Sequence, residues 1–333
     1  MTLNEFFESL LGRINLKIDD NERKLIQEKQ NALREKLREK LPLKDDFLTG
    51  SYARETIIKP KDDEEEFDVD FFIAFDNEDY GDKELSELHD LTANALKEIK
   101  DENKDLGVTE IDEKQRRSIG IRFGSNFQID VVPAIEIEKD KLYKIFDKRT
   151  LKPVKSNPKL HGKLLTEANE KTGGKLVPVV KMLKAWKREK CDYVKSFHVE
   201  LLAVKILGNG KMDSFSSGLG TFFAKASEYL KESCLKDPAN SEMCVDGYLD
   251  DDGTRGALLT LLATENDLAT RALELEKAGK EDAVKEWQKV FPDDGLETAE
   301  AVKSGGFYPG GGGVFVKKSF DDGRISSPRS WGE

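Results

Sequence analysis

The apolar positions change period several times along the chain. Leu3, Phe6, Phe7, Leu10 and Leu11 fall on one side of a helix and predict a short amphipathic element over residues 3–12. After the turn-like Asp19-Asp20-Asn21, Leu25, Ile26, Leu33, Leu37 and Leu41 recur at threes, fours and sevens, predicting a packed helix over 21–40 that Pro42 closes. Phe47-Leu48-Thr49 then reads as a strand, Gly50-Ser51 as a turn, and the residues from Tyr52 as a short helix. A polar loop over 59–66 leads into Phe67–Phe75, whose near-continuous apolar character beyond Asp70 marks a central, buried strand. Leu85, Leu88, Leu91 and Leu96 give the inner face of a helix over 82–103. Strand-like segments follow at 107–112 and 116–123, and Gly124-Ser125-Asn126 turns the chain back as Phe127–Val132. Residues 142–158 are irregular with short strand character.

Beyond this point the pattern is helical, over 160–171, 174–190, 196–207, 216–232, 254–278 and 280–289. The end of the chain carries Gly305-Gly306, Gly310-Gly311-Gly312-Gly313 and Ser326-Ser327-Pro328, a composition expected to be mobile. The expected class is α+β in two lobes: a mixed-sheet lobe with an N-terminal helix over 1–158, a helical lobe over 159–303, and a glycine-rich tail over 304–333. There is no internal repeat.

Composition narrows the setting. The 333 residues are 36% charged and 38% apolar, which suits a large core under a solvated surface. No apolar run approaches the roughly 20 residues that span a bilayer, and the first residues lack the basic-then-apolar form of a signal peptide. Cys191, Cys234 and Cys244 form neither a CxxC nor a disulfide framework, so a cytoplasmic location without a membrane partner is expected. The net charge of −11 argues against a long nucleic-acid footprint, although Lys141 to Lys195 is locally rich in lysine, which equally suits a triphosphate pocket. His89 and His161 stand alone in the sequence, and His198 is expected to be packed or hydrogen-bonded rather than catalytic.

The chemistry concentrates in three carboxylates. Asp68 and Asp70 are two apart on one strand and therefore share a face, about 7 Å from each other. They would repel without cations between them, and magnesium prefers such hard oxygen ligands. Asp130, inside the apolar strand Phe127–Val132, costs several kcal/mol to bury without a partner. Adjacent strands would bring all three beside the Gly50-Ser51 turn, where glycine lets the backbone approach phosphate oxygens and the Ser51 hydroxyl can bind them. Two Mg2+ ions, with Mn2+ as a substitute, would neutralise a leaving pyrophosphate and lower the pKa of an attacking hydroxyl. Asp130 could accept the proton of that hydroxyl. The alternative without metal takes Asp68 and Asp70 as solvated strand-edge acids and Asp130 as a buried capping residue.

The order Gly50-Ser51, Asp68-x-Asp70 and a later Asp130 resembles the DNA polymerase β-like nucleotidyltransferase superfamily, with sixteen residues between Ser51 and Asp68. Val177–Lys187 with Lys184 and Trp186, and Ser196-Phe197 with Glu200, resemble the lysine–x–tryptophan helix and serine–aromatic–x–x–glutamate helix start of oligoadenylate synthases and cyclic GMP-AMP synthase-like enzymes. Ser156–His161 resembles the linker into the helical lobe, and the helix ending Trp287-Gln288-Lys289-Val290-Phe291 is similar to a late motif of the bacterial CD-NTases. The zinc-containing insert of the animal enzyme has no counterpart, since no Cys/His cluster has zinc spacing.

This resemblance implies a two-lobed enzyme with its site in the cleft. It would join nucleoside triphosphates, ATP among them, into a cyclic di- or trinucleotide second messenger of bacterial antiphage (CBASS-type) signalling. The resemblance implies that Gly50, Ser51, Lys184 and Ser196 bind nucleotide phosphates, that Phe197 stacks on a base, and that Asp68, Asp70 and Asp130 hold the metals. A regulatory protein, or one that conjugates the C-terminus, would be the partner. The same residues also suit a linear oligoadenylate synthase, a terminal nucleotidyltransferase acting on RNA, or a non-catalytic nucleotide sensor.

Overall fold

The computed structural model describes residues 1–292 apart from 62–65, 82, 139–141, 232–233 and 251–252; the expected tail over 304–333 lies outside the described residues. The chain opens with two helices, α1 (Leu3–Ile14) and α2 (Asp20–Lys40). A sheet region follows: β1 (Leu43–Thr49), α3 (Gly50–Ala53), β2 (Phe67–Asp76), α4 (Asn77–Tyr80), α5 (Leu85–Glu102), β3 (Glu110–Asp112), β4 (Ile119–Arg122), β5 (Phe127–Glu138), β6 (Leu142–Asp147) and β7 (Lys152–Ser156). The remainder is α6 (Pro158–Lys171), α7 (Leu176–Lys190), α8 (Ser196–Leu207), α9 (Phe215–Lys231), the hairpin β8 (Lys236–Asp237) and β9 (Asn240–Cys244), α10 (Thr254–Lys277) and α11 (Asp282–Val290).

The sheet runs β1-β2-β5-β4-β3, and β6 also pairs with β5 and carries β7. β2 and β5 are parallel, and the other pairings are antiparallel. β5 is long enough to share one edge between two partners, with Gln128–Val131 against β4 and Ala134–Glu138 against β6. Alternation sorts the strand residues by face. Phe67, Val69, Phe71, Ile73 and Phe75 of β2, with Phe127, Ile129 and Val131 of β5, pack on Leu33 and Leu37 of α2 and Leu96 and Ile99 of α5. That face forms the core of the sheet lobe. Phe72, Ala74, Val132 and Ala134 lie on the opposite face with Tyr143 and Ile145.

The helical core gathers α7, α8, α9, α10 and α11 around Trp186, Phe222, Phe223 and Trp287. α1 joins it: Phe6, Phe7, Leu10 and Ile14 pack there, and Phe7 meets Trp287 at 5.5 Å between ring centroids. The first helix, expected within the sheet lobe, is thus packed on the other one. Local chemistry fixes the element ends. Thr2 and Glu5 form a reciprocal capping box on α1. Asn157 caps α6 by accepting from the Leu160 N–H at 2.9 Å, and Pro158 fills a first-turn position where its missing N–H costs nothing.

Two expectations need correction. The segment over 142–158, expected to be irregular with short strand character, is more regular than that: it forms the paired strands β6 and β7 joined by a turn, and the low apolar content and Pro153 of β7 conceal an edge strand. Cys234 and Cys244 are bonded to each other across the β8–β9 hairpin, and only Cys191 is free. A separation of ten residues gives no sign in sequence of the hairpin that brings the two sulfurs together.

Candidate active site

Asp70 lies opposite Asp130 across the parallel β2–β5 pair and opposite Thr49 across the β1–β2 pair. Asp68 lies opposite Gln128. The three acids therefore share the sheet face turned away from α2 and α5. Asp70 and Asp130 are buried, whereas Asp68 is partly exposed at the strand's beginning. The turn after β1 is built around this arrangement. Gly50 has φ of +72°, and a Cβ there would stand 1.6 Å from Oδ2 of Asp70. Only glycine accommodates both the left-handed backbone and the approach to the carboxylate.

The carboxylates are oriented by neutral amides. Gln128 donates from Nε2 to Asp68 Oδ1 at 2.5 Å, and Gln115 donates from Nε2 to Asp130 Oδ1 at 2.9 Å. The Gln115 carbonyl oxygen in turn accepts from the Ser118 hydroxyl. That bond fixes which end of the amide faces the acid. Gly120 lies opposite Asp130 on β4, and a Cβ there would come 2.3 Å from Gln115 Nε2, so its absence makes room for the amide. Asp130 thus finds the partner that its burial demanded. Gln115 sits in the irregular segment before β4 and has no sequence signal of its own.

A divalent metal is the group this family of motifs implies. The donor set fits it in chemistry: three carboxylates, hard and oxygen-only, on one face of two adjoining strands. Amide donors orient such ligands without neutralising them. Among the described residues no three His, Cys, Asp or Glu side chains yet converge closely enough to hold an ion, consistent with Asp68 and Asp130 each being turned onto a glutamine.

The helical half contributes through α7 and α8. Lys184 of α7 is buried, and its ammonium donates to the Thr56 carbonyl at 3.0 Å and to the Thr56 hydroxyl at 3.2 Å. It also lies 3.4 Å from Glu200 Oε2. In this arrangement its ammonium is bonded within the protein. Burial pushes this ammonium down to about 8 against the pull of Glu200. Burial alone would raise the Glu200 carboxyl, but Arg54, Lys184 and Thr56 outweigh it and hold the group at about 2. Ser196 opens α8, where unpaired N–H groups favour an anion. Phe197 beside it is partly exposed and lines a small cavity with Arg54, Arg117 and His161. Its ring stands edge-on to His161 at 5.0 Å between centroids, and the Arg54 guanidinium lies 5.9 Å from its centroid. His161 bonds Asp237 of β8 at 2.7 Å, so the disulfide-closed hairpin forms one wall of this cavity. His198 is buried and bonds the Tyr248 hydroxyl at 2.9 Å.

Residues 1–169 match the model of the Second Messenger Oligonucleotide or Dinucleotide Synthetase domain. The cyclic AMP-AMP-AMP synthase of an Acinetobacter strain is 30% identical over 193 residues, 56% of this chain and 51% of its own. The chain thus aligns with about half the length of that relative. The CBASS oligonucleotide cyclase CdnC of Escherichia coli is 28% identical over 219 residues, 63% of this chain and 67% of its own. The solved structure of E. coli MS115-1 CdnC with ATP has a TM-score of 0.66 and 21% identity, covering 87% of this chain and 97% of that one. The same enzyme is also known in complex with HORMA-deltaN, at a TM-score of 0.63 and 20% identity, covering 87% of this chain and 95% of that one. The mixed sheet and helical lobe are those of the polymerase-β-like nucleotidyltransferase fold.

Proposed function

Because the chain belongs to the Second Messenger Oligonucleotide or Dinucleotide Synthetase family, we propose that it is a metal-dependent nucleotidyltransferase making a cyclic di- or trinucleotide from nucleoside triphosphates, ATP among them. The observation that carries this proposal is the gathering of Asp68, Asp70 and Asp130 on one sheet face against the Gly50 backbone. Bacterial antiphage signalling is the proposed setting, as the name of the CBASS cyclase CdnC suggests. A regulatory protein partner belongs to the same proposal, as in the complex of CdnC with HORMA-deltaN.

Asp68, Asp70 and Asp130 would hold two magnesium ions, which supply charge neutralisation for the α-phosphate and the leaving pyrophosphate. The Gly50-Ser51 turn would bind phosphate oxygens through its N–H groups and the Ser51 hydroxyl, and the start of α8 at Ser196 would bind the same anion from the other side. Phe197, partly exposed beside the small cavity, would stack on a base. A ribose hydroxyl oxygen of one nucleotide bonds to the α-phosphorus of another as the bond to pyrophosphate breaks, and its proton passes to the Asp130 carboxylate. The linear product turns over and a second transfer of the same kind closes the ring.

Incubation with the four radiolabelled triphosphates and magnesium, followed by nuclease digestion and mass analysis, tests the proposal. The expected product resists end-directed nucleases, and the D68N/D70N double variant releases no pyrophosphate. Pyrophosphate release by that variant at the wild-type rate overturns the assignment. A product with free ends identifies a linear synthase or an RNA-tailing enzyme instead.

A further inference from the structure

Two segments bearing proposed substrate contacts, the Gly50-Ser51 turn and the start of α8, meet with α7 at one buried carboxylate. Glu200 lies one helical turn into α8, four residues beyond Ser196, and is almost wholly buried. Arg54, three residues after Ser51, donates from Nε to Glu200 Oε1 at 2.5 Å. The fully buried Thr56 donates its hydroxyl to Glu200 Oε2 at 2.7 Å. Lys184 of α7 closes the set on the Thr56 carbonyl and hydroxyl and on Glu200. These bonds span the sheet side and the helical side of the molecule, across 144 and 146 residues of sequence.

We infer that Glu200 is a positioning residue: with Arg54, Thr56 and Lys184 it locks the Gly50-Ser51 turn to the start of α8 and so sets the spacing between the two walls that grip a triphosphate. The inference rests on the nucleotidyltransferase proposal. A buried ionic cluster is a poor source of stability compared with apolar packing of the same volume, and its best-attested use is to specify one arrangement of elements. Here two cations, from the sheet side and the helical side, share the one carboxylate, so both sides are held to the same point. Arg54 also lies over the Phe197 ring, so moving the guanidinium would disturb the turn and the aromatic wall together. Lys184 on this account acts through Thr56 and Glu200 rather than as a phosphate ligand.

The test compares E200Q, T56V and K184M with wild type for kcat, KM for ATP and unfolding temperature. A shift of about 1 Å at a reacting centre costs on the order of a hundredfold. E200Q and K184M are therefore expected to lose tenfold to a hundredfold in kcat/KM, with kcat carrying most of the loss. T56V, an isosteric change that removes one hydroxyl from the cluster, is expected to lose severalfold while keeping the wild-type unfolding temperature within a few degrees. The E200Q/K184M double variant should be no worse than the poorer single variant, because both break one unit. Should E200Q fail to fold, T56V decides alone. Wild-type kcat and KM in folded E200Q and T56V, or a loss confined to the KM of K184M, overturns the inference and returns Lys184 to direct phosphate binding. Absence of product from wild type would instead defeat the underlying functional proposal.

Discussion

Gly50 and Asp70 exclude any side chain between them: a Cβ on Gly50 would stand 1.6 Å from Asp70 Oδ2. The turn and the buried acid were thus built to one another's dimensions. G50A should lower activity by about a hundredfold or more, because the buried carboxylate must move by more than an ångström. The left-handed backbone adds about 1–2 kcal/mol of strain. Nucleotide turnover and thermal unfolding of the same preparation measure both effects, and near-normal turnover in G50A would show that the turn tolerates displacement.

Gln115 should matter as much as a residue named by any motif. Its amide is the oriented donor to Asp130, and loss of such supporting contacts costs 10–100-fold in metal affinity or activity. Q115M should show that loss with little change in the KM for ATP, and should need more magnesium for half-maximal rate. S118A, which frees the amide to rotate, should show a smaller loss in the same direction. Metal titration of the rate, with calorimetric binding of Mn2+ as a readout independent of turnover, checks both variants.

Acid should weaken the fold through His198. Burial holds this imidazole down at about 4, against an ordinary value of 6.5. The unfolded chain therefore binds the extra proton first, and stability falls as pH drops from about 6.5 towards 4. At pH 5 the loss from this one group is about 2 kcal/mol relative to neutral pH. H198N retains a polar partner for the Tyr248 hydroxyl. It should flatten the pH dependence of denaturant unfolding between pH 7 and pH 5, and an unchanged slope would assign the acid sensitivity elsewhere.

Reduction of the Cys234–Cys244 bond should release the β8–β9 hairpin. Closing a loop of this size restricts the unfolded chain by about 2–3 kcal/mol. Dithiothreitol, or the C234A/C244A double variant, should lower the unfolding temperature. Asp237 lies within the hairpin and bonds His161, so protease cleavage near residue 240 should also quicken. An unfolding temperature indifferent to reductant would mean that the hairpin holds without the bond.

Much of the architecture was legible because it follows from periodicity. The spans of α8, α9 and α10 are nearly those the apolar spacing dictates, since each helix buries one stripe in the helical core. Phe67–Phe75 was legible as central because both its faces are apolar. The acids were legible because charges in such strands demand a reason. What stayed hidden depends on contacts distant in sequence. β7 is an edge strand that carries a proline, and β8 has only two residues, so neither holds a repeating pattern. Gln115 acts through the register of β4 against β5. Glu200 appears in the sequence as part of a recognisable helix start, but its bonds to Arg54 and Thr56 exist only after the two halves of the chain have met. Lys184 shows the same limit from the other side: the resemblance implies a phosphate ligand, and its bonds to Thr56 and Glu200 depend on a contact across 128 residues of sequence that no local pattern reveals.

The parallel pairing of β2 with β5 also governs when the site can exist during folding. Asp68 and Gln128 pair across 60 residues of sequence, and the two strands keep register over ten positions from Phe67 to Asp76. Such long-range parallel contacts form slowly, because loop-closure entropy is lost before any pairing is gained. A nascent chain therefore displays Asp68 and Asp70 well before Asp130 exists to join them. A one-residue slip of β5 would also turn Asp130 to the opposite face while breaking its pairing with both β4 and β6. Activity should accordingly arrive late and all at once on refolding, with no partly active intermediate, which refolding followed in parallel by turnover and by far-ultraviolet circular dichroism checks.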